Sequence, residues 1–195
     1  YAWTGPNSYS SAATAPSFTA SVTAASGVYS LTVTYPGTGC TSAVSTTTAV
    51  TVNAVPTISS VSASPTLLCV GSTISLSATG VTGFSGSPTY AWTGPNSYSS
   101  TATAPSFTAS VTAASGVYSL TVTYPGTGCT SAVSTTTAVT VNAVPTISSV
   151  SASPTLLCIG STISLSATGV TGGSGSPTYA WSGPNSYSST ATAPS

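Results

Sequence analysis

The sequence contains no Asp, Glu, Lys, Arg or His at any of its 195 positions. Without basic side chains nothing neutralises phosphates, so counterion release, the main driving force for nucleic-acid binding, is lost. Without carboxylates or imidazoles, Ca²⁺ and Mg²⁺ lose their usual ligands, and zinc is left with widely spaced cysteines. We therefore expect no nucleic-acid partner, no metal and no cofactor.

The same absence limits catalysis. General acid and base chemistry needs a group that titrates near the working pH, and only Tyr and Cys remain, whose ordinary pKa values lie above neutrality. The many Ser and Thr hydroxyls therefore have no base to activate them as nucleophiles. The composition predicts a protein that is not an enzyme.

Long apolar runs are also missing, because Ser or Thr interrupts every hydrophobic stretch well before the roughly 18 residues of a membrane span. We expect no membrane span. Hydrophobic residues nevertheless make up 40% of the chain and aromatic residues 8%. A chain this rich in Val, Leu, Ile and Tyr is too apolar for ordinary disorder and is expected to fold.

The dominant pattern is internal repetition. The stretch "YAWTGPNSYSS" begins at Tyr1 and again at Tyr90, and "YAWSGPNSYSS" begins at Tyr179, so the period is 89 residues. Such a unit is too long for a solenoid repeat and has the size of a small independent domain. Four positions differ between copies: Ala12 and Thr101, Val70 and Ile159, Phe84 and Gly173, and Thr93 and Ser182.

The best domain boundary is "NAVPT" (53–57 and 142–146), where a Val-rich run meets a proline that cannot join a central strand ladder. It predicts the C-terminal part of one repeat (1–54), a complete repeat (55–143) and the N-terminal part of the next (144–195). Head-to-tail completion of the two parts is the weaker interpretation, because residues 179–195 and 1–17 carry the same strand and would supply it twice. A window from a longer array fits better.

Alternation of apolar and polar residues predicts strands throughout the complete repeat. "STISLSAT" (72–79), "PTYAWTG" (88–94) and "VYSLTVTY" (117–124) each place one set of side chains inward. "SFTASV" is expected to alternate through Phe107, Ala109 and Val111, and "STTTAVTV" to end on the alternating residues Val139 and Val141. Strands of this spacing, separated by Gly- and Pro-rich turns, suggest an all-β sandwich of about seven strands.

The segment "ASGVYSLTV" (114–122) resembles the tyrosine corner of immunoglobulin-like domains, around Tyr118. The resemblance places Leu76 and Leu120 where many such domains carry their core cysteines, and Trp92 at the strand C tryptophan. It implies a core that contains these residues and their repeat equivalents: Trp3, Leu76, Trp92, Tyr118, Leu120 and Trp181.

The order of these segments resembles the tandem immunoglobulin-like repeats of long, secreted, cell-surface and adhesin-like proteins of bacteria, especially the Bacteroidetes group. The resemblance covers the whole repeat, and it departs from the pattern at Ala114, where an acidic residue is missing, and in the absence of all charge. It implies an extracellular or cell-surface location, with neighbouring repeats of the same chain as the first partners.

The four cysteines, Cys40, Cys69, Cys129 and Cys158, give two per repeat. In immunoglobulin topology Cys69 lies at the pole before strand B and Cys129 at the opposite pole, roughly 25 Å away along a strand of seven or eight residues. A disulfide needs Cα atoms within about 7 Å. We therefore hypothesise bonds between a cysteine of Cys69 type and one of Cys129 type in the following repeat. A Cys69–Cys129 bond within the repeat and free thiols stay open as alternatives.

Two functions remain. The first is a structural fibre, stalk or surface filament, in which Ser and Thr replace charge on the wet faces and the neutral surfaces self-associate. The second is recognition of glycans or ice by Thr-rich faces (Thr135–Thr137) and by loop residues Phe84, Asn96 and Tyr98. Strand propensity and turn geometry alone also explain those residues.

Overall fold

A computed structural model of the chain describes residues 1–83, 86–173 and 175–195. The fold is all-β, as the alternation predicts, with short strands in several mostly antiparallel sheets. In the described residues the only helical elements are three-residue 3₁₀ turns at Thr23–Ala25, Thr112–Ala114 and Pro184–Ser186.

The strands follow one another closely along the chain. The first nine are β1 (Ala2–Gly5), β2 (Tyr9–Ser11), β3 (Ser30–Thr32), β4 (Thr34–Tyr35), β5 (Cys40–Thr41), β6 (Ser45–Thr46), β7 (Ser60–Ser64), β8 (Leu67–Cys69) and β9 (Thr73–Thr79). The next seven are β10 (Thr89–Gly94), β11 (Tyr98–Ser100), β12 (Ser106–Thr108), β13 (Ser119–Tyr124), β14 (Cys129–Thr130), β15 (Ser134–Thr135) and β16 (Thr140–Asn142). The last four are β17 (Ser149–Ser153), β18 (Ser164–Thr168), β19 (Trp181–Ser182) and β20 (Ser188–Ser189).

The chain divides into two compact units. The first comprises Tyr1–Ser59, Thr79–Tyr90 and Thr121–Val133, and the second comprises Ser60–Ala78, Ala91–Leu120 and Ser134–Ser195. Both units contain residues of the stretch 55–143 that the sequence delimits as one repeat, so the compact units do not follow the repeat boundaries.

The larger sheet has the strand order β11-β10-β13-β14, and β15 also pairs with β13. Trp92 of β10 lies opposite Ser100 of β11, and β13 points Leu120 and Val122 to the interior. Alternate side chains on these strands are buried because successive residues of a strand face opposite sides of the sheet.

A second sheet has the order β12-β9-β7. In β9 the buried residues are Ile74 and Leu76, with serines between them facing solvent. Phe107 of β12 pairs with Ile74. The predicted strand at 72–79 is therefore confirmed, together with the face it buries.

One pairing is parallel, and the alternation does not predict it. Strand β8 pairs with β16 so that Leu68 lies beside Val141 and Cys69 beside Asn142. Leu68 and Val141 are both buried. A parallel pair needs a long connection between its strands, and here the connection runs from Cys69 to Thr140.

The two ends of the chain form smaller sheets. Residues 1–54 contain the sheet β2-β1-β3-β6 and the short pair β4-β5, with Tyr29 buried. Residues 144–195 contain the ladder β17-β18, whose register runs from Ser149–Thr168 to Ser153–Ser164, and the two-residue pair β19-β20.

One detail of the predicted strands is wrong. Strand β12 ends at Thr108, and a 3₁₀ turn follows at Thr112–Ala114, so Val111 is exposed and does not point inward. The run "STTTAVTV" contains β15 and the start of β16, and Val139 and Val141 are both buried, as the alternation predicts. Between the two strands the Thr136 side chain accepts a main-chain hydrogen bond.

Candidate functional site

The segment around Tyr118 forms a closed hydrogen-bonded corner. The Tyr118 hydroxyl donates to the Ala114 carbonyl oxygen at 2.6 Å, and the side chain is fully buried. Gly116 makes this geometry possible. Its φ of +139° is one that residues with a side chain rarely adopt, and a Cβ added at this position would lie only 2.6 Å from Pro95 Cγ. Tyr29 makes the same bond to Ala25 at 2.7 Å.

The loop "GPNSYSS" is a tight hairpin between β10 and β11. Asn96 and Ser97 both have positive φ, at 53° and 56°, and the Tyr98 amide donates to the Pro95 carbonyl at 3.1 Å. Two consecutive positive φ values match the two-residue turn whose twist suits adjoining antiparallel strands. Asn96 is exposed at the tip, so turn geometry alone accounts for its position.

Tyr98 is a packing residue. Its ring stacks on Phe107 with centroids 4.1 Å apart and meets the edge of Tyr118 at 5.5 Å. Such aromatic contacts stabilise a core beyond the area they bury. A stacked, half-buried ring of this kind offers little free face to a sugar. Phe84, the third proposed ligand residue, lies outside the described residues.

Burial also raises the pKa of three tyrosines, Tyr98, Tyr118 and Tyr124, above the ordinary value of a tyrosine. Desolvation is the main cause at each, opposed at Tyr98 by a hydrogen bond with Ser100. Nearby tyrosines raise the pKa further, Tyr98 acting on Tyr118 and Tyr90 on Tyr124. These phenols stay neutral near pH 7, where none of them acts as a base.

The tryptophans occupy equivalent places with different burial. Trp92 is buried, whereas Trp3 and Trp181 are half-buried. Each indole N–H donates to a carbonyl ten residues further on: Trp3 to Ala13 at 3.2 Å, Trp92 to Ala102 at 3.1 Å and Trp181 to Ala191 at 2.9 Å. The other proposed core residues, Leu76, Tyr118 and Leu120, are buried.

On the wet faces, hydroxyls bond to one another across strands. Each pair joins two side chains on neighbouring chain segments, so each hydroxyl is satisfied without an ion. The pairs are Thr34–Thr41 (2.8 Å), Thr57–Thr82 (2.9 Å), Ser62–Ser77 (2.8 Å), Thr123–Thr130 (2.8 Å), Thr146–Thr171 (2.9 Å), Ser149–Thr168 (2.7 Å) and Ser151–Ser166 (2.7 Å). Opposed Thr and Ser side chains are among the pairs that stabilise antiparallel ladders.

Among the described serines and threonines, Ser131 and Thr136 are buried and their hydroxyls bond the main chain. Thr136 Oγ1 accepts from the Tyr118 amide at 3.1 Å, and Ser131 Oγ accepts from the Val122 amide at 3.0 Å. Because Thr136 is buried, the Thr135–Thr137 row does not form a continuous hydroxyl surface.

All four cysteines are free thiols in the structure. Cys69 lies on β8 in the second unit, next to Asn142. Cys129 lies on β14 in the first unit, opposite Tyr124. With all four thiols free, the structure shows no Cys69–Cys129 bond, and a bond to a further repeat stays a hypothesis.

The first unit contains a cavity of about 320 Å³ where the end of residues 1–54 meets the loops of the next repeat. Val52, Asn53 and Ala54 line one side, and Gly83 and Thr127 lie on the other. Thr127 Oγ1 also accepts the amide of Cys129 at 3.3 Å. The cavity therefore marks a contact between successive repeats, two residues from a cysteine.

The part of the chain that the structure describes brings no three residues of the types His, Cys, Asp or Glu close enough together to hold a metal ion. Among the helical segments of the described residues none has the length and hydrophobicity that crossing a bilayer requires. A comparison with protein-family models found no match, and a comparison with curated protein sequences found none either.

Proposed function

We propose that the protein is a non-catalytic structural component of an extracellular fibre, stalk or surface filament, built from near-identical immunoglobulin-like repeats. The observation that carries the proposal is the set of cross-strand hydroxyl pairs on a chain without any charged side chain. Such a surface is hydrated and hydrogen-bonded, yet it carries no charge that would repel a neighbouring copy.

The immunoglobulin-like assignment is supported by the strand order. One sheet has β12-β9-β7 and the other β11-β10-β13-β14 with β15, as expected for sheets E-B-A and C′-C-F-G. In immunoglobulin-like domains the first strand is split, and its second part leaves one sheet and pairs with the last strand of the other sheet. The parallel pair β8-β16 corresponds to that arrangement. The Tyr118–Ala114 hydrogen bond corresponds to the tyrosine corner of such domains.

The lack of catalysis is supported by the chemistry of the remaining groups. Exposed hydroxyls bond each other, buried hydroxyls accept main-chain amides, and the buried tyrosines have pKa values raised by desolvation. None of these arrangements joins a nucleophile to a base, which acyl or phosphoryl transfer would need.

The ligand-binding alternative loses its main supports. Tyr98 is stacked in the core, Asn96 lies at the tip of a tight turn and Thr136 is buried. Paired hydroxyls on the wet faces also have fewer free donors and acceptors to offer a sugar. Cohesion between copies therefore accounts for the surface better than recognition of a glycan or of ice.

The melting temperature of the purified chain from about pH 4 to 9 tests the role, since the ordinary pKa values of its tyrosines and cysteines lie near or above the upper limit. We expect almost no change over that range. A shift of tens of degrees would contradict the proposal. Electron microscopy of the native material should show long thin filaments, and a glycan array should show no specific binding.

A further inference from the structure

The linker between successive repeats is hydrogen-bonded on both of its sides, within the first unit. On the side of the preceding repeat, Ser26 Oγ accepts from the Val52 amide at 2.8 Å and donates to the Val52 carbonyl at 3.3 Å. On the side of the following repeat, the Thr57 amide donates to the Thr82 carbonyl at 2.9 Å, and the Thr82 amide donates to the Thr57 carbonyl at 3.0 Å. Their hydroxyls also bond each other at 2.9 Å. The linker between these two anchors is residues 53–56.

The linker lies against a loop of the repeat that follows it. Pro56 is fully buried, and its ring fixes its φ. A Cβ added at Gly83 would lie 2.9 Å from the Val55 carbonyl oxygen and 3.5 Å from Pro56 Cα, so the linker approaches this loop as closely as only a glycine allows. Asn53 and Ala54 line, together with Gly83, the cavity of the first unit. All four linker residues therefore lie beside the loop.

The same contacts recur at the next linker, within the second unit. Thr146 and Thr171 exchange two main-chain hydrogen bonds of 2.8 and 3.0 Å, and their hydroxyls lie 2.9 Å apart. A Cβ added at Gly172 would lie 2.6 Å from the Val144 carbonyl oxygen. Pro145 is exposed there, so the hydrogen bonds and the glycine contact form without burial of the proline. The two linkers therefore share one set of contacts with the loop that follows.

We propose that the loop at Thr82 and Gly83 is a docking surface for the linker 53–56, and that this linker clamp joins successive repeats without a flexible tether. Neighbouring domains of one chain move relative to each other by default unless an extensive contact holds them. A flexible tether would lengthen under tension before either repeat bears load. In the linker clamp, tension passes from Val52 to Thr57 through four docked residues, and the two main-chain hydrogen bonds of Thr57 must break before the linker detaches.

Trypsin measures the docking directly, because the chain contains no Lys or Arg and therefore no natural trypsin site. Ala54→Arg places a single site in the linker, and Ala54 is exposed, so the new side chain can extend into solvent. Cleavage of a folded chain tracks the population of its locally opened form. We expect the 195-residue Ala54→Arg chain to be cut at least about tenfold more slowly than a synthetic peptide of residues 48–62 with the same substitution.

Gly83→Ala in the Ala54→Arg background tests the close approach, and Gly86→Ala is the matched control. Both glycines have positive φ, +92° and +108°, so both substitutions strain the main chain, but a Cβ at Gly86 meets no atom of the described residues within 4 Å. We expect Gly83→Ala to speed cleavage about tenfold, since an overlap with the main chain costs about one decade in an equilibrium constant. Gly86→Ala should speed it far less. Tryptophan fluorescence checks that each variant is folded.

Thr57→Val keeps the test decisive if Gly83→Ala prevents folding. It removes only the exposed hydroxyl pair with Thr82 and should speed cleavage about two- to fivefold. Thr168→Val removes a hydroxyl pair of the same kind on the β17-β18 ladder and should leave the rate unchanged.

Cleavage of the folded Ala54→Arg chain at the rate of the peptide would overturn the proposal, as would equal effects of the two glycine variants in folded chains or equal effects of the two threonine variants. The proposal deepens the fibre role and rests on its repeat organisation. Its failure would leave the pH and microscopy tests of that role unchanged.

Discussion

The hydrogen bond from Tyr118 to Ala114 gives the sharpest prediction about stability. Tyr118→Phe keeps the ring and removes only the hydroxyl, which donates at 2.6 Å inside the core. Tyr118 is 0% exposed, so water does not replace the lost donor. An acceptor left unpaired in the interior costs about 1–3 kcal/mol. For a domain of about 60–100 residues that loss lowers the melting temperature by about 4–24 °C.

The assay is thermal and urea unfolding followed by tryptophan fluorescence in a background of Trp3→Phe and Trp181→Phe, so that Trp92 alone reports on its surroundings. Tyr35→Phe is the control, because Tyr35 is 72% exposed and removal of a wet hydroxyl should change stability by less than about 0.5 kcal/mol. Equal stability of Tyr118→Phe and Tyr35→Phe would refute the reasoning.

Three further predictions follow from the same structure. Above about pH 10 the unfolded chain loses tyrosine protons that the folded chain retains, because burial raises the pKa of Tyr98, Tyr118 and Tyr124. Stability should therefore be constant at lower pH and decrease as pH rises through the folded pKa values, and a titration with no alkaline decrease would contradict the assigned burial. Gly94→Ala should destabilise by about 1–3 kcal/mol, because the new Cβ would overlap the Tyr118 ring, whereas Gly126→Ala meets no atom within 4 Å and should be nearly neutral in the same denaturation series. The hypothesised bond between Cys69 of one repeat and the equivalent of Cys129 in the next predicts that, in longer oxidised arrays, cleavage at an engineered protease site in the linker releases single repeats only after reduction; release without reduction would contradict that hypothesis.

Much of the fold follows from the sequence because the side-chain period of a strand is two. Ile74 and Leu76 are buried with serines between them, and Leu120 and Val122 alternate in the same way. The hairpin at Asn96 was also predictable, since Gly-Pro-Asn is a turn signal. The all-β class is therefore confirmed, whereas the immunoglobulin-like topology stays part of the proposed function.

The parts that the sequence did not predict depend on contacts between distant segments. The parallel pairing of β8 with β16 joins Leu68 to Val141, and no local pattern specifies it. The inward turn of Thr136 brings its hydroxyl oxygen to the amide of Tyr118, which directly precedes β13 and is distant in sequence. Strand propensity favoured Val111 as a continuation of β12, but the 3₁₀ turn that leads into the tyrosine corner takes up that stretch instead.

The paired hydroxyls have a consequence for how the proposed filament responds to the salt concentration of its surroundings. Dissolved salt weakens the attraction between ions, over distances of about 10 Å at 0.1 M, but a Thr–Thr pair such as Thr123–Thr130 presents dipoles and no ions. We therefore expect the proposed filament to keep its cohesion in both fresh water and seawater.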